Sequence, residues 1–378
     1  MELVIGKKSL EQMTGLAQGV VPKRTTKPIL MHILLEADSV KGLSISATDE
    51  ELSFSGTVET QVVQPGSIAV SAKDLHDVVK RFPDKDIHLS VNPEESLLEL
   101  KSGRIKFGLQ TLPAEEFPGL PEINPENSYS FPVEKWSWLS DRTLFAVSQE
   151  ETRYYLGGVY MECQESMLRG VATDGHRLAL AELEAPEGFV LEEGRILPRK
   201  LLTELRKMID KKEGDLQFGF QDKRVIFHHG LLTLSSLLVE GTFPDYRQVV
   251  PDNSSISCRV LRKDLFDGLQ RISLMSPDKT GGVRFQSEGR QLVISSQQVG
   301  RGQGKEEVEI QEGGGEIEAG FNANYFIDAM KVLETEQVLL EFNDHLSPCV
   351  LKPFVDDSED KEEGGQMHHL NVIMPMRL

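Results

Sequence analysis

Five clusters in this chain carry residue types that could do chemistry. Gly300-Arg301-Gly302-Gln303-Gly304-Lys305 has the glycines and the lysine of a phosphate-cradling loop. A P-loop also needs a glycine five residues before the one preceding its lysine, and Ser or Thr after that lysine. Val299 and Glu306 stand at those places, so the stretch reads as a flexible connection between strands. The acidic run Asp356–Glu363 has calcium-loop composition. Counted from Asp356, however, position six is Lys361 and position twelve is Met367, where Gly and Glu are required. His228-His229 and His368-His369 are adjacent pairs. Neighbours on a strand face opposite sides, so neither pair can hold one metal ion. Asp174-Gly175-His176-Arg177 offers acid and base groups, but Asp-Gly ahead of the alternating Leu178-Ala179-Leu180 is first of all a hairpin turn. With no GxSxG, HExxH or paired-carboxylate motif, the sequence predicts no enzyme, no metal and no cofactor.

The side chains that do recur are cations. Lys80, Arg206 and Lys331 lie 126 and 125 residues apart, and Lys73 and Arg199 are 126 apart. Beside them run apolar residues at helical spacing: Leu75-Val78-Val79-Phe82, Leu201-Leu205-Met208-Ile209 and Phe326-Ala329-Met330-Leu333. Phe117-Pro118 and Phe243-Pro244 repeat at 126, Ala47-Thr48-Asp49 and Ala172-Thr173-Asp174 at 125. An interval of one third of 378 residues is too long for a solenoid repeat and indicates three copies of a domain. The expected boundaries are 1–125, 126–253 and 254–378, with short Pro- and Asn-containing linkers around Pro121–Pro125 and Pro251–Ser255.

Each copy reads as α+β. Alternating runs flank Ser102-Gly103 and His229-Gly230, which predicts hairpins there. Helices are expected from Ser9 to Val20, Val133 to Val147 and Leu261 to Met275, with one more per copy beginning near Leu75, Leu201 and Phe326. Such helices should cover one face of a sheet and leave their basic side outward. Cys163, Cys258 and Cys349 are too scattered for a disulfide framework and read as buried thiols of a reducing compartment. No apolar run is long enough to cross a bilayer and the first residues do not resemble a signal peptide, which predicts a soluble, cytoplasmic protein without a membrane partner.

The net charge of −19 excludes a protein that coats itself with nucleic acid. It leaves room for one positive face, and Lys23-Arg24, Lys73, Lys80-Arg81, Arg199-Lys200, Arg206-Lys207 and Lys211-Lys212 gather on or beside the expected helices. That distribution suits an enclosed polyanion held without sequence preference.

Ala172-Thr173-Asp174-Gly175-His176-Arg177-Leu178, Arg153-Tyr154-Tyr155-Leu156, Phe243-Pro244-Asp245-Tyr246-Arg247 and the terminal Met374-Pro375-Met376-Arg377-Leu378 resemble, in order and from end to end, the bacterial DNA sliding clamp family, the beta subunit of DNA polymerase III. The resemblance implies three tandem clamp domains with helices on the inner face and antiparallel sheets outside, closing as a head-to-tail homodimer around double-stranded DNA. It implies a processivity factor for the polymerase III alpha subunit. Arg24, Tyr155 and Gln149, with Glu150 as the alternative register, match DNA-contacting positions, and Lys73, Lys80, Arg199, Arg206 and Lys331 join them as the repeated basic stripe. The clamp loader, other polymerases and mismatch-repair and ligase proteins are implied partners, each docking a short linear peptide. Leu156, Thr173, Gly175, His176, Arg177, Leu178, Pro244, Val249, Val372, Met374, Pro375, Met376 and Arg377 match that pocket. Met and Leu side chains repack around varied peptides, as a shared docking groove requires. Pro375 argues against a last strand running on through Met374 and Met376. A protein-binding scaffold that does not encircle DNA is the alternative function. The segment Asp356–Gly364 is expected to be a disordered or mobile, dispensable surface loop, because it has no apolar residue to bury and its like charges repel.

Overall fold

The computed structural model describes residues 1–92, 94–121, 128–210, 213–251, 253–276, 281–355 and 367–377. The first expected domain boundary, Lys211-Lys212 and the acidic run Asp356–Gly365 lie outside the described residues.

Six α-helices occur among them: α1 Lys7–Val20, α2 Ala72–Arg81, α3 Val133–Asp141, α4 Arg199–Met208, α5 Arg262–Ser273 and α6 Ala323–Lys331. Their starts are locally encoded. Ser71 Oγ accepts from the Asp74 amide at the head of α2, and the Asn322 side chain accepts from the Asn324 amide at the head of α6. The apolar stripes seen in the sequence are the buried faces: Leu75, Val79, Leu201, Leu205, Phe326, Ala329 and Met330 have no accessible surface. Each large aliphatic or aromatic side chain so buried contributes about 2 kcal/mol of transfer free energy.

One helix is shorter than its pattern suggests. Expected to reach Val147, α3 stops at Asp141, and Leu144–Ala146 forms a separate 3-10 turn. The Thr143 hydroxyl donates back to the Leu139 carbonyl at 2.9 Å, the kind of bond by which a β-branched hydroxyl residue bends or ends a helix. A second correction concerns the thiols. Cys258 and Cys349 are buried but Cys163 is only half-buried.

The described residues divide into two compact units, Met1–Ser137 with Lys200–Leu238, and Trp138–Arg199 with Val239–Leu378. Each unit holds one antiparallel sheet, of thirteen and twelve strands respectively. In the first, strand Leu52–Val58 of the N-terminal third pairs with Leu232–Leu237 of the middle third. In the second, strand Arg177–Glu184 of the middle third pairs with the last strand, His368–Ile373. The strands of the middle third are thus shared between the two sheets, and every pairing of one third with the next leaves no free edge at that place. The predicted hairpins are present. Ser102 pairs with Ile105 around Gly103, and His229 pairs with Leu232 around Gly230. Gln298 pairs with Gly302, so only Val299–Arg301 connects the strands, and Gly302–Lys305, expected as part of the connection, belong to the second strand. His228 and His229 bond separate partners, Thr233 and the Glu213 carbonyl, while His368 is exposed and His369 buried, as expected of strand neighbours.

Candidate functional site

In the first unit, Lys73 and Lys80 stand on the exposed side of α2, Arg206 on that of α4, and Arg24 in the loop after α1. Two further cations of the basic clusters join this group. Lys23 and Lys207 line, with Lys73, a cleft of about 490 Å³ between α1, α2 and α4. The sequence places both in basic clusters, with Arg24 and Arg206, but only the packing of α4 beside α1 brings them together. Lys207 bonds both carboxylate oxygens of Glu204 at 2.8 and 2.9 Å. Glu204 is itself buried against Gly19, where an added Cβ would come within 1.9 Å of the carboxylate, so only glycine fits in α1 there.

In the second unit, Arg199 is the exposed first residue of α4, and Lys331 is exposed on α6 with its ammonium 3.0 Å from Asp328. That ion pair offsets part of the Lys331 charge, which the repeat pattern did not reveal. Gln149 and Glu150 are exposed and Tyr155 is half-buried in the 3-10 stretch Glu151–Leu156.

The residues matched to the peptide pocket do not all play one part. Leu156, Leu178 and Val372 are buried and form one apolar cluster with Val171, Ile196, Phe243 and Tyr246. Phe243 stacks on Tyr160 with ring centroids 4.9 Å apart. The Tyr246 hydroxyl donates to Glu162 at 2.6 Å, and Arg247 donates to the same carboxylate at 2.6 Å. Burial, reinforced by Glu162, pushes the Tyr246 phenol up to about 12. This pair of bonds pins the Phe243–Arg247 motif onto the cluster. Pro244 and Val249 remain exposed at its rim.

The turn beside the cluster is wired by its own short side chains. Thr173 Oγ1 donates to the Arg177 carbonyl and accepts from the Gly175 amide, while Asp174 Oδ1 accepts from the His176 and Arg177 amides at 3.0 and 3.1 Å. Gly175 takes φ +88°, the left-handed region that glycine enters without strain. Arg177 is not a free charge. Its guanidinium donates to Asp174 (3.1 Å), Asp328 (2.9 Å) and the Phe145 carbonyl (2.7 Å), and lies over the Tyr325 ring. It acts as a strut that ties the turn to α6.

After Ile373 the chain leaves the sheet. The Met374 amide donates to the His176 carbonyl at 3.0 Å and the Met376 amide to the Gly320 carbonyl at 2.8 Å. Pro375 has no amide hydrogen to continue the ladder. Met374, Pro375 and Met376 are therefore half-buried on a loop, and Met376 and Arg377 border a cleft of about 630 Å³ whose far wall, Arg284, Glu318 and Leu346, the sequence did not mark. Among the described residues no group of three His, Cys, Asp or Glu side chains converges as metal ligands would.

Known proteins match this arrangement over the whole chain. Residues 1–121, 132–245 and 247–365 match the N-terminal, central and C-terminal domains of the DNA polymerase III beta subunit family. The beta sliding clamp of Caulobacter vibrioides is 37% identical over 385 residues and that of Pseudomonas aeruginosa 34% identical over 379, each covering 100% of both chains. Solved structures agree. A Pseudomonas aeruginosa sliding clamp bound to griselimycin superposes with a TM-score of 0.89 at 33% identity, covering 100% of each chain. The Bacillus subtilis clamp gives 0.89 at 27% identity, covering 100% of this chain and 99% of the other.

Proposed function

The chain belongs to the DNA polymerase III beta subunit family, and on that footing we propose the residues and partners through which it works. It is a DNA sliding clamp, a non-catalytic processivity factor whose partners are DNA and the polymerase. In our reading two copies close around the duplex, which is held by Arg24, Lys73, Lys80, Gln149, Tyr155, Arg199, Arg206 and Lys331. The clamp loader, other polymerases and mismatch-repair and ligase proteins are further partners, and the setting is the cytoplasm. None of the helices among the described residues is long and apolar enough to cross a membrane.

One observation carries the DNA reading. In α2, α4 and α6 alike the apolar stripe faces the core, buried except for the half-buried Val78, and the cations at the repeated positions are exposed. Lys73 and Arg199 even occupy the first turns of their helices, where a positive charge opposes the helix dipole by up to about 1 kcal/mol. Placement against local stability favours service to an anion. Phosphate contacts from long side chains fix position without reading bases, so they permit sliding.

Peptide docking is supported by the buried floor Leu156, Leu178 and Val372 beside the off-sheet Met374–Arg377 loop. Flexible thioethers next to a fixed apolar floor suit several partners. Loop residues can be lost without loss of the core, so removing Met374–Leu378 should abolish binding of an alpha-subunit peptide, read by fluorescence anisotropy, in a protein that stays folded.

The test of encirclement is topological. Protein loaded onto a nicked circle should co-elute with it in gel filtration and be released when the circle is cut once. Lys80→Glu, Arg206→Glu and Lys331→Glu together should reduce loading without unfolding. Equal retention on linear DNA with free ends would show an ordinary surface binder.

A further inference from the structure

The two sheets contain the same joint twice, with opposite chemistry on one face. In the second unit, strand pairing places Val171 opposite Leu180, Leu178 opposite Val372 and Leu180 opposite Leu370. In the first unit the same ladder reads Ser46 opposite Ser55, Ser53 opposite Ser235 and Ser55 opposite Thr233. The correspondence is a constant shift: 171 − 46, 178 − 53 and 180 − 55 all equal 125. Directly opposed residues share a face of the sheet. Five apolar side chains in one joint therefore stand where five hydroxyls stand in the other.

The covering segment is the same kind in both. Phe243 and Tyr246 lie over the apolar face, and Phe117 and Leu120, each 126 residues earlier, lie on the chain that runs to the hydroxyl face. Beneath Leu120 and Pro121 a cavity of about 320 Å³ remains, lined by Ser53, Ser55, Thr233 and His228. It is polar. Thr48 and Ser53 hydroxyls bond each other at 2.9 Å, His228 bonds Thr233 at 2.8 Å, and His228 Nε2 is buried with no protein partner. An apolar side chain entering there would meet Leu120, Pro121 and Phe54, but it would also bury the sheet's hydroxyls and the His228 nitrogen without giving them a hydrogen bond.

We propose that Ser46, Ser53, Ser55, Thr233 and Ser235 are specificity determinants that close the first joint to apolar peptide motifs, so that each chain offers one docking site although its fold builds two. The inference rests on the reading of Leu178 and Val372 as the floor of the peptide site. Selectivity of this kind comes from making the wrong site costly as well as the right one favourable.

The experiment uses a synthetic peptide from the alpha subunit carrying a photoreactive apolar residue, cross-linked to the full-length chain and mapped by mass spectrometry. Cross-links confined to the neighbourhood of residues 155–178 and 370–377 are expected. Cross-links near Ser53, Ser55, His228 or Thr233 at comparable yield overturn the inference. Cross-links to neither joint overturn the docking reading, and this inference with it. Independently, Leu180→Ser with Leu370→Thr, both at half-buried positions, should weaken the peptide at least ~10-fold in a protein that stays folded by circular dichroism. Unchanged affinity overturns the hydroxyl argument while leaving the docking site in place. Replacing the five hydroxyl residues by their counterparts Val, Leu, Leu, Leu and Val should raise the stoichiometry to two peptides per chain. A folded variant that still binds one peptide counts against the inference.

Discussion

The turn Thr48–Leu52 in the first unit and the turn Thr173–Arg177 in the second are the same piece of backbone used for different ends. In both, the threonine hydroxyl donates to the carbonyl four residues on, at 3.0 and 2.6 Å. In both, the aspartate accepts from the two amides that follow, those of Glu51 and Leu52 and those of His176 and Arg177. The next chain crosses at the same place, Leu237 amide to Glu51 carbonyl and Met374 amide to His176 carbonyl, each at 3.0 Å. They part in what closes the aspartate. Asp49 is held by Lys200 reaching from α4 at 2.5 Å, whereas Asp174 is held by Arg177 of its own turn, which also reaches Asp328 of α6. A turn that satisfies its backbone with its own short side chains does not depend on its surroundings. The remaining side chains were then open to differ, with hydroxyls on the sheet face of one joint and Leu and Val on that of the other.

The sharpest way to break this contrast is to remove each closing cation. Arg177→Ala strips three acceptors of a side chain that is only 12% exposed, and should cost about 3 kcal/mol in denaturant unfolding. Lys200→Ala acts on a side chain 41% exposed and should cost about 1 kcal/mol. Equal losses would mean that the two closures are interchangeable.

A second difference lies one ladder step away. His369 stands where the first unit has Leu232, opposite Ala181 and Gly56 respectively. Burial, with Arg142 nearby, pushes the His369 pKa down to about 3 from 6.5. Below pH 6.5 the unfolded chain takes up a proton that the folded chain refuses. Stability should therefore fall by about 1.4 kcal/mol per pH unit between pH 6.5 and 3 as this group's share. His369→Leu should flatten that slope. Trp138, whose ring centre is 6.4 Å from that of His369, gives a fluorescence readout in a Trp136→Phe background. An unchanged slope in the leucine variant would assign the acid sensitivity to other groups.

The smallest effect concerns the left-handed residue of each turn. Glu50 takes φ +80° where Gly175 takes φ +88°. Glu50→Gly should gain up to about 1 kcal/mol, less whatever its exposed pair with Lys27 contributes, and Gly175→Ala should lose about 1 kcal/mol or more. Gly175→Ala also brings a Cβ within 2.7 Å of the Arg153 guanidinium. Thermal melts of the two variants should shift in opposite directions.

Much of this was legible in the chain itself. The stripes of α2, α4 and α6, the turns at Gly103, Gly175 and Gly230, and the exposed cations follow from local periodicity and local turn chemistry. The family resemblance singled out Leu178, Val372 and Met374–Arg377, which in the structure are two buried strand residues and the loop after the last strand. The end of α3 was not legible, because Leu144–Val147 is apolar enough to extend the pattern and the Thr143 back-bond that stops it is a matter of rotamer. Nor was the role of Arg177 as a strut, since Asp328 is 151 residues away in the chain.

By itself, then, the sequence determined three copies of an α+β unit, the inward and outward sides of their helices, and the family. Those properties rest on spacings of a few residues and on a repeat of 125 to 126. Tertiary structure alone decided which strands meet, and so which face is apolar at each joint. Ser53 meets Ser235 across 182 residues and Leu178 meets Val372 across 194, and no local pattern encodes a register between segments so far apart. It also decided that Lys23 and Lys207 share a cleft with Lys73, because burial and proximity belong to the assembled sheet and its helices rather than to any one segment.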